Sequence, residues 1–188
     1  RRVRRAKYYA DCRIDPRHSF VDNLVTFSQN EMGIPEAGRS NGVITPPDVI
    51  QEQSDNQVIF HVKSSNKNKD WPAERFAEVA QGIADRGYKP VFIVGKPDEL
   101  TGWEWVEEKG FSLPKFTSLD EIATAIAQSR YFIGVDSGFG HLASSLGIPT
   151  ITIARHPNQI RFWRPVWSEG RIITPSPFIP NLKGLRWR

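Results

Sequence analysis

The chain has 188 residues, enough for one domain with a proper hydrophobic core. Its apolar (39%) and charged (24%) fractions are ordinary for a globular protein, and no apolar run reaches membrane-spanning length. Cys12 is the single cysteine, which excludes an internal disulfide or a cysteine-rich metal site, and the formal net charge of +4 suits an anionic partner.

Arg1, Arg2, Arg4, Arg5 and Lys7 form a basic cluster. It reads either as a solvated tail or as a contact for an anionic membrane surface. The first residue is Arg and no secretory signal is visible, so the chain reads as processed or as a fragment. Residues 16–32 have helical spacing, with Phe20, Leu24, Phe27 and Met32 as a loose apolar stripe closed by Gly33 and Pro35. Such a stripe needs a surface to cover it. Residues 35–56, rich in Pro, Gly, Ser, Asn and Gln, read as a linker.

A regular α/β pattern begins at Gln57 and runs to about residue 175. Residues 58–62 predict a strand and 64–70 a polar loop. Residues 72–86 predict an amphipathic helix with Pro72 in its first turn and Gly87 after its end. Residues 90–94 predict a second strand, followed by a turn and a helix over 99–109. Ser118 or Asp120 caps another helix containing Ile122, Ala125 and Ile126. Residues 131–135 are apolar and β-rich, as expected of a strand buried on both faces. Asp136-Ser137-Gly138-Phe139-Gly140 stops that strand, residues 141–146 predict a short helix, and 150–153 predict the next strand. Residues 171–174 predict a last strand and 176–188 an extended tail. Between them, Arg161 to Trp167 make a basic aromatic patch that reads as a lid on the sheet edge or as a lining for a sugar or acceptor.

Strands alternating with helices predict an α/β fold, a Rossmann-like parallel sheet covered on both faces. Ligands of such sheets sit at the carboxyl ends of the strands, where the loops after Val62 and Val135 both lie. A glycine turn entering a helix offers free N–H groups and the positive end of a helix dipole, which suits a phosphate; the same glycines also serve simple close packing. Neither G-x-G-x-x-G nor G-x-x-x-x-G-K-[ST] occurs, which argues against a nicotinamide or P-loop enzyme. No Asp-x-Asp pair or spaced His/Cys set is present, so no metal is expected.

The run VDSGFGHLASSLGIPTITI resembles the signature of glycosyltransferase family 9, the bacterial heptosyltransferases: a strand ending in Asp-Thr-Gly, two residues, His-Leu-Ala, then Pro and a strand. Ser137 stands where the family usually has Thr, which keeps the hydroxyl and loses a methyl. Upstream, Lys69-Asp70-Trp71-Pro72 resembles the Lys-x-Trp-Pro element of the same family. The two matches span about half the chain, from Val58 to Ala154. The resemblance implies one half of a GT-B fold, the donor-binding C-terminal half. It implies that residues 1–34 end a preceding half that holds the acceptor site and the catalytic base. Ser64, Ser65 and Lys69 would meet the donor's phosphates, as would Asp136, Ser137, Gly138 and His141. An ammonium with hydroxyl donors matches the anionic oxygens of a diphosphate. Asp98 or Glu99 would meet the ribose, and Phe116 and Thr117 would flank the base. Each has a structural alternative: Lys69 as a solvated lysine, Glu99 as a first-turn acid, Phe116 as core, His141 as a packing residue. Trp71 reads as packing. The implied donor is a nucleotide sugar, ADP-linked, with no further cofactor, and the implied acceptor is a lipopolysaccharide-type or other glycan. The implied location is the cytoplasm, peripheral to the inner membrane. A non-catalytic nucleotide- or sugar-binding module and a nucleic-acid-binding protein are the rival readings.

Overall fold

The computed structural model describes residues 14–64, 66–95, 101–155, 157–176 and 178. The basic cluster at the N-terminus, Ser65, Asp98, Glu99 and the tail beyond Phe178 lie outside the described residues.

Five strands form one parallel sheet: β1 (Gln57–His61), β2 (Lys89–Ile93), β3 (Tyr131–Val135), β4 (Thr150–Ile153) and β5 (Gly170–Ile173). Their spatial order is β2-β1-β3-β4-β5. The central strands alternate between two cores. Val58, Phe60 and Val62 pack with Phe92 against helix α3 (Ala73–Ala84) and the short α4 (Trp105–Glu108). Ile59, Ile93 and Phe132 pack on the other face against α5 (Leu119–Ala127) and α6 (Gly138–Ser145). Burial on both faces is why these strands read as continuous apolar runs rather than as alternating ones. Phe60 stacks on Phe92 at 4.9 Å and meets Phe76 edge-on at 6.3 Å, so one aromatic cluster ties β1, β2 and α3.

Local chemistry sets the helix ends. Ser19 and Ser118 cap α1 (Phe20–Asn30) and α5, each hydroxyl accepting from the backbone N–H three residues on. Pro72 precedes α3, where its lack of an N–H costs nothing. Gly147 follows α6 with φ +81°, the left-handed conformation that terminates a helix and that side chains resist.

Several expectations change. The helix expected over 16–32 is shorter, because Ser19 caps it and the chain turns before Phe20. Its stripe is covered in part: Phe20 packs on Phe162 and Trp163 of α7 (Pro157–Trp163), at 5.6 and 4.8 Å, while Leu24 and Met32 stay exposed. Residues 35–56 contain a short helix, α2 (Pro47–Gln51), and lie against the α/β layer. Asn41 Nδ2 donates to Ser145 O, Gln53 Nε2 to Ser129 O, and Ser54 N to Gln128 O. Helix α6 begins three residues before the expected start at His141. Glycines read as breakers, yet at the first turn Gly138 and Gly140 take ordinary helical angles. The helix expected over 99–109 is confined, among the described residues, to Trp105–Glu108.

Candidate functional site

The sheet order places β1 and β3 side by side although β2 lies between them in sequence. The order in which strands are added to the sheet switches sides there, while all strands stay parallel, so the loops leaving the two strands diverge and open a crevice at their carboxyl ends. A cleft of about 1070 Å³ occupies this position. Its polar side holds Lys63, Ser64, Lys69, Asp136, Ser137 and His141; its apolar side holds Leu119, Phe139, Leu142 and Trp163.

The two loops close on each other through one ion pair. Lys69 ends a short 3₁₀ turn (Lys67–Lys69), and its Nζ donates to Asp136 Oδ2 at 2.7 Å. Both side chains are half-buried. Ser64 N–H donates to Asp70 Oδ1 at 2.8 Å, which holds the first loop in shape. The second loop runs directly into α6. Gly138 is its first residue, and a Cβ placed there would meet nothing within 4 Å. Gly138 therefore faces open cleft and is not needed for packing. Gly134, at the end of β3, is the opposite case: a Cβ would lie 2.8 Å from His61 O and 3.0 Å from Phe132 Cε1. That missing side chain lets β3 approach β1.

His61 is a polar site residue that sequence reasoning missed. It ends β1, is 4% exposed, and its Nδ1 is hydrogen-bonded to Ser137 Oγ at 2.9 Å. Its ring meets Phe139 edge-on at 4.7 Å. Burial pushes its pKa down to about 4, so the imidazole is neutral at physiological pH. Folding must therefore strip a proton from it below the ordinary histidine value of 6.5. The stability it contributes is complete above pH 6.5 and is lost as pH falls from there toward 4, at about 1.4 kcal/mol per pH unit. Urea unfolding at pH 7 and pH 5 should show wild type losing about 2 kcal/mol more than His61→Phe does over the same interval. A pH dependence identical in the two proteins would remove His61 as its source.

The remaining expected residues are placed unevenly. His141 is half-buried, with its ring edge-on to Trp167 at 6.3 Å and a hydrogen bond to the backbone of Trp163. Burial lowers its pKa, opposed by the nearby Asp136 charge. It lines the cleft and packs there as well. Phe116 packs on the core cluster around Ile122 and is not among the residues that line the cleft. Thr117 is exposed, and both its N–H and its hydroxyl donate to Glu121. Its polar groups serve the cap of α5. Trp71 packs edge-on to Phe76 at 5.0 Å. Leu119, Phe139 and Trp163 line the cleft without having been singled out; only the aromatic density of residues 161–167 signalled the last of them. Among the described residues no group of three or more His, Cys, Asp or Glu side chains is placed to hold a metal ion. None of their helices is long and apolar enough to cross a membrane.

Residues 20–176 match the description of glycosyltransferase family 9 (heptosyltransferase). The chain belongs to this family. Lipopolysaccharide heptosyltransferase 3 of Escherichia coli K12 is 30% identical over 124 residues, 63% of this chain and 36% of that protein. The crystal structure of a family 9 glycosyl transferase from Veillonella parvula superimposes with a TM-score of 0.65 at 24% identity, over 92% of this chain and 54% of that one. The E. coli heptosyltransferase WaaC with ADP-2-deoxy-2-fluoro heptose gives a TM-score of 0.55 at 25% identity, over 70% of this chain and 39% of that one. The chain spans about a third of the length of the curated relatives it matches. The family matches agree with the parallel α/β sheet in placing this chain on the GT-B scaffold.

Proposed function

We propose that the cleft binds the diphosphate of an ADP-linked sugar and that this chain is the donor-binding part of a heptosyltransferase-like enzyme. The acceptor in this reading is a lipopolysaccharide-type or other glycan. The observation that carries it is the Lys69–Asp136 bridge across the β1/β3 crevice, beside the open first turn of α6. An ammonium, loop hydroxyls and free helix N–H groups at one point are the donors that a diphosphate accepts from. The relative solved with a fluorinated ADP-heptose and the relative named a lipopolysaccharide heptosyltransferase support the choice of base and sugar.

In this reading the residues divide the work. Lys63, Lys69 and the α6 amides hold the diphosphate and stabilise the charge that grows on it as the sugar leaves. Phe139, Leu142 and Trp163 supply an apolar wall. In this reading the acceptor-binding half of the enzyme supplies the base that takes the acceptor's proton; Asp136, the single carboxylate among the described lining residues, is bound to Lys69. The leaving diphosphate is stabilised by these donors with no divalent metal. Family membership favours this reading over a nucleic-acid-binding one.

Calorimetry of this chain with ADP in excess EDTA tests the proposal. Binding should persist in chelator, and ADP should compete with ADP-heptose. Binding that needs a divalent ion would overturn the metal-free assignment, and no binding of either nucleotide would overturn the donor site. Gly138→Val refines the test, since it projects a branched side chain into the cleft and not into the core. It should weaken ADP binding about tenfold or more while leaving the free energy of urea unfolding within about 0.5 kcal/mol of wild type. Normal ADP affinity in Gly138→Val would move the diphosphate away from this turn.

A further inference from the structure

Three helices here have serine at the cap, and one of them is unlike the other two. Ser19 and Ser118 have extended backbone and turn their hydroxyls onto the N–H groups of Asp22 and Glu121, at 3.1 and 3.2 Å. Ser137 has the same extended backbone, φ −153° and ψ 167°, yet its side chain makes no cap hydrogen bond. Its hydroxyl is held instead by His61 Nδ1 at 2.9 Å. Gly140 N–H, the usual recipient of a cap, bonds to Ser137 O. The N–H groups of Gly138 and Phe139 have no partner among the described residues, and both residues line the cleft.

The imidazole is well placed to win this competition. It is fixed by the β1 backbone, by the edge of Phe139 at 4.7 Å and by the close approach that Gly134 allows. Its position is therefore set by the sheet, which is stiffer than the first turn of an eight-residue helix. A serine hydroxyl left to itself returns to its own helix, because capping satisfies an orphan donor.

We propose that His61 is a positioning residue: it holds the Ser137 hydroxyl off α6 and so keeps the first-turn amides open for an anionic ligand. The inference rests on the donor-diphosphate reading for the identity of that ligand. Without His61, Ser137 caps its own helix, and the ligand must displace an internal hydrogen bond to bind. The imidazole itself need not touch the ligand.

The experiment is a double-mutant cycle with ADP and inorganic pyrophosphate as probes. His61→Phe should weaken both about threefold to tenfold, the range in which a single cap bond acts. In a Ser137→Ala background the same change should alter affinity less than twofold, since no hydroxyl remains to compete. His61→Asn, whose amide can stand near the Nδ1 position, should stay within twofold of wild type. An equal loss in both backgrounds would overturn the proposal and make His61 a direct contact or a packing residue. A ligand-free readout separates this from the function itself. Amide exchange at Phe139 should slow in His61→Phe and not in His61→Phe/Ser137→Ala. Unchanged exchange in His61→Phe would overturn the positioning role even if ADP binds. Absence of ADP binding by wild type would overturn the donor reading and leave the exchange result to decide this one. If His61→Phe does not fold, His61→Leu, which removes the hydrogen bond with less volume, takes its place in every arm.

Discussion

Lys69→Ala is expected to weaken ADP binding by roughly tenfold to a hundredfold, the span of one charge-assisted hydrogen bond worth about 1.5–3 kcal/mol. The geometry places the loss toward the upper end. Lys69 both faces the cleft and neutralises Asp136. Removing it deletes a cation and also releases a carboxylate into the space a diphosphate would enter. The double variant Lys69→Ala/Asp136→Asn should therefore recover about half of the lost binding energy. Isothermal titration of the three proteins at one salt concentration measures this. Unchanged affinity in Lys69→Ala would make the lysine a structural clasp. A double variant no better than the single one would show that Asp136 does not repel the ligand.

Gly134→Val is expected to destabilise the fold by about 3 kcal/mol, the upper end of the usual range for forced overpacking in a close-packed interior. A Cβ at this position meets His61 O at 2.8 Å, and a backbone carbonyl in the middle of a sheet cannot rotate away. The β1–β3 ladder must then separate where His61 pairs with Gly134. For a chain of this length the midpoint of thermal unfolding should fall by about 6–12 °C. Gly138→Val, four residues on, should scarcely move it. Calorimetric melts of the two variants side by side make the contrast, and equal melting temperatures would show that the strands can spread without cost.

Much of the fold was legible because the sheet is parallel. Tyr131–Val135 and Thr150–Ile153 coincide with their apolar, β-rich runs, since a strand covered on both faces has no solvent side to break the pattern. Pro72, Gly87 and Ser118 marked helix ends through backbone chemistry that is local to them. What was hidden depends on partners far along the chain. His61 reads as the polar end of a strand until Ser137, 76 residues later, is laid over it. Phe116 reads equally as a base contact or as core, and its packing against the Ile122 cluster depends on residues remote from it in the chain. The start of α6 was masked because a glycine argues against helix interiors but is cheap at a first turn. Lys69 and Asp136 were separate candidates whose pairing, 67 residues apart, no spacing rule could announce.

The order β2-β1-β3-β4-β5 puts the cleft over the middle of the sheet, with two strands flanking it on one side and three on the other. Edge strands β2 and β5 can fray while the seam beneath the cleft stays paired. A ligand held by both loops acts as a tie between segments that are remote in the chain and adjacent in space. Its binding energy adds to the buried, central β1–β3 seam, so bound nucleotide should raise resistance to global unfolding more than it quiets the margins.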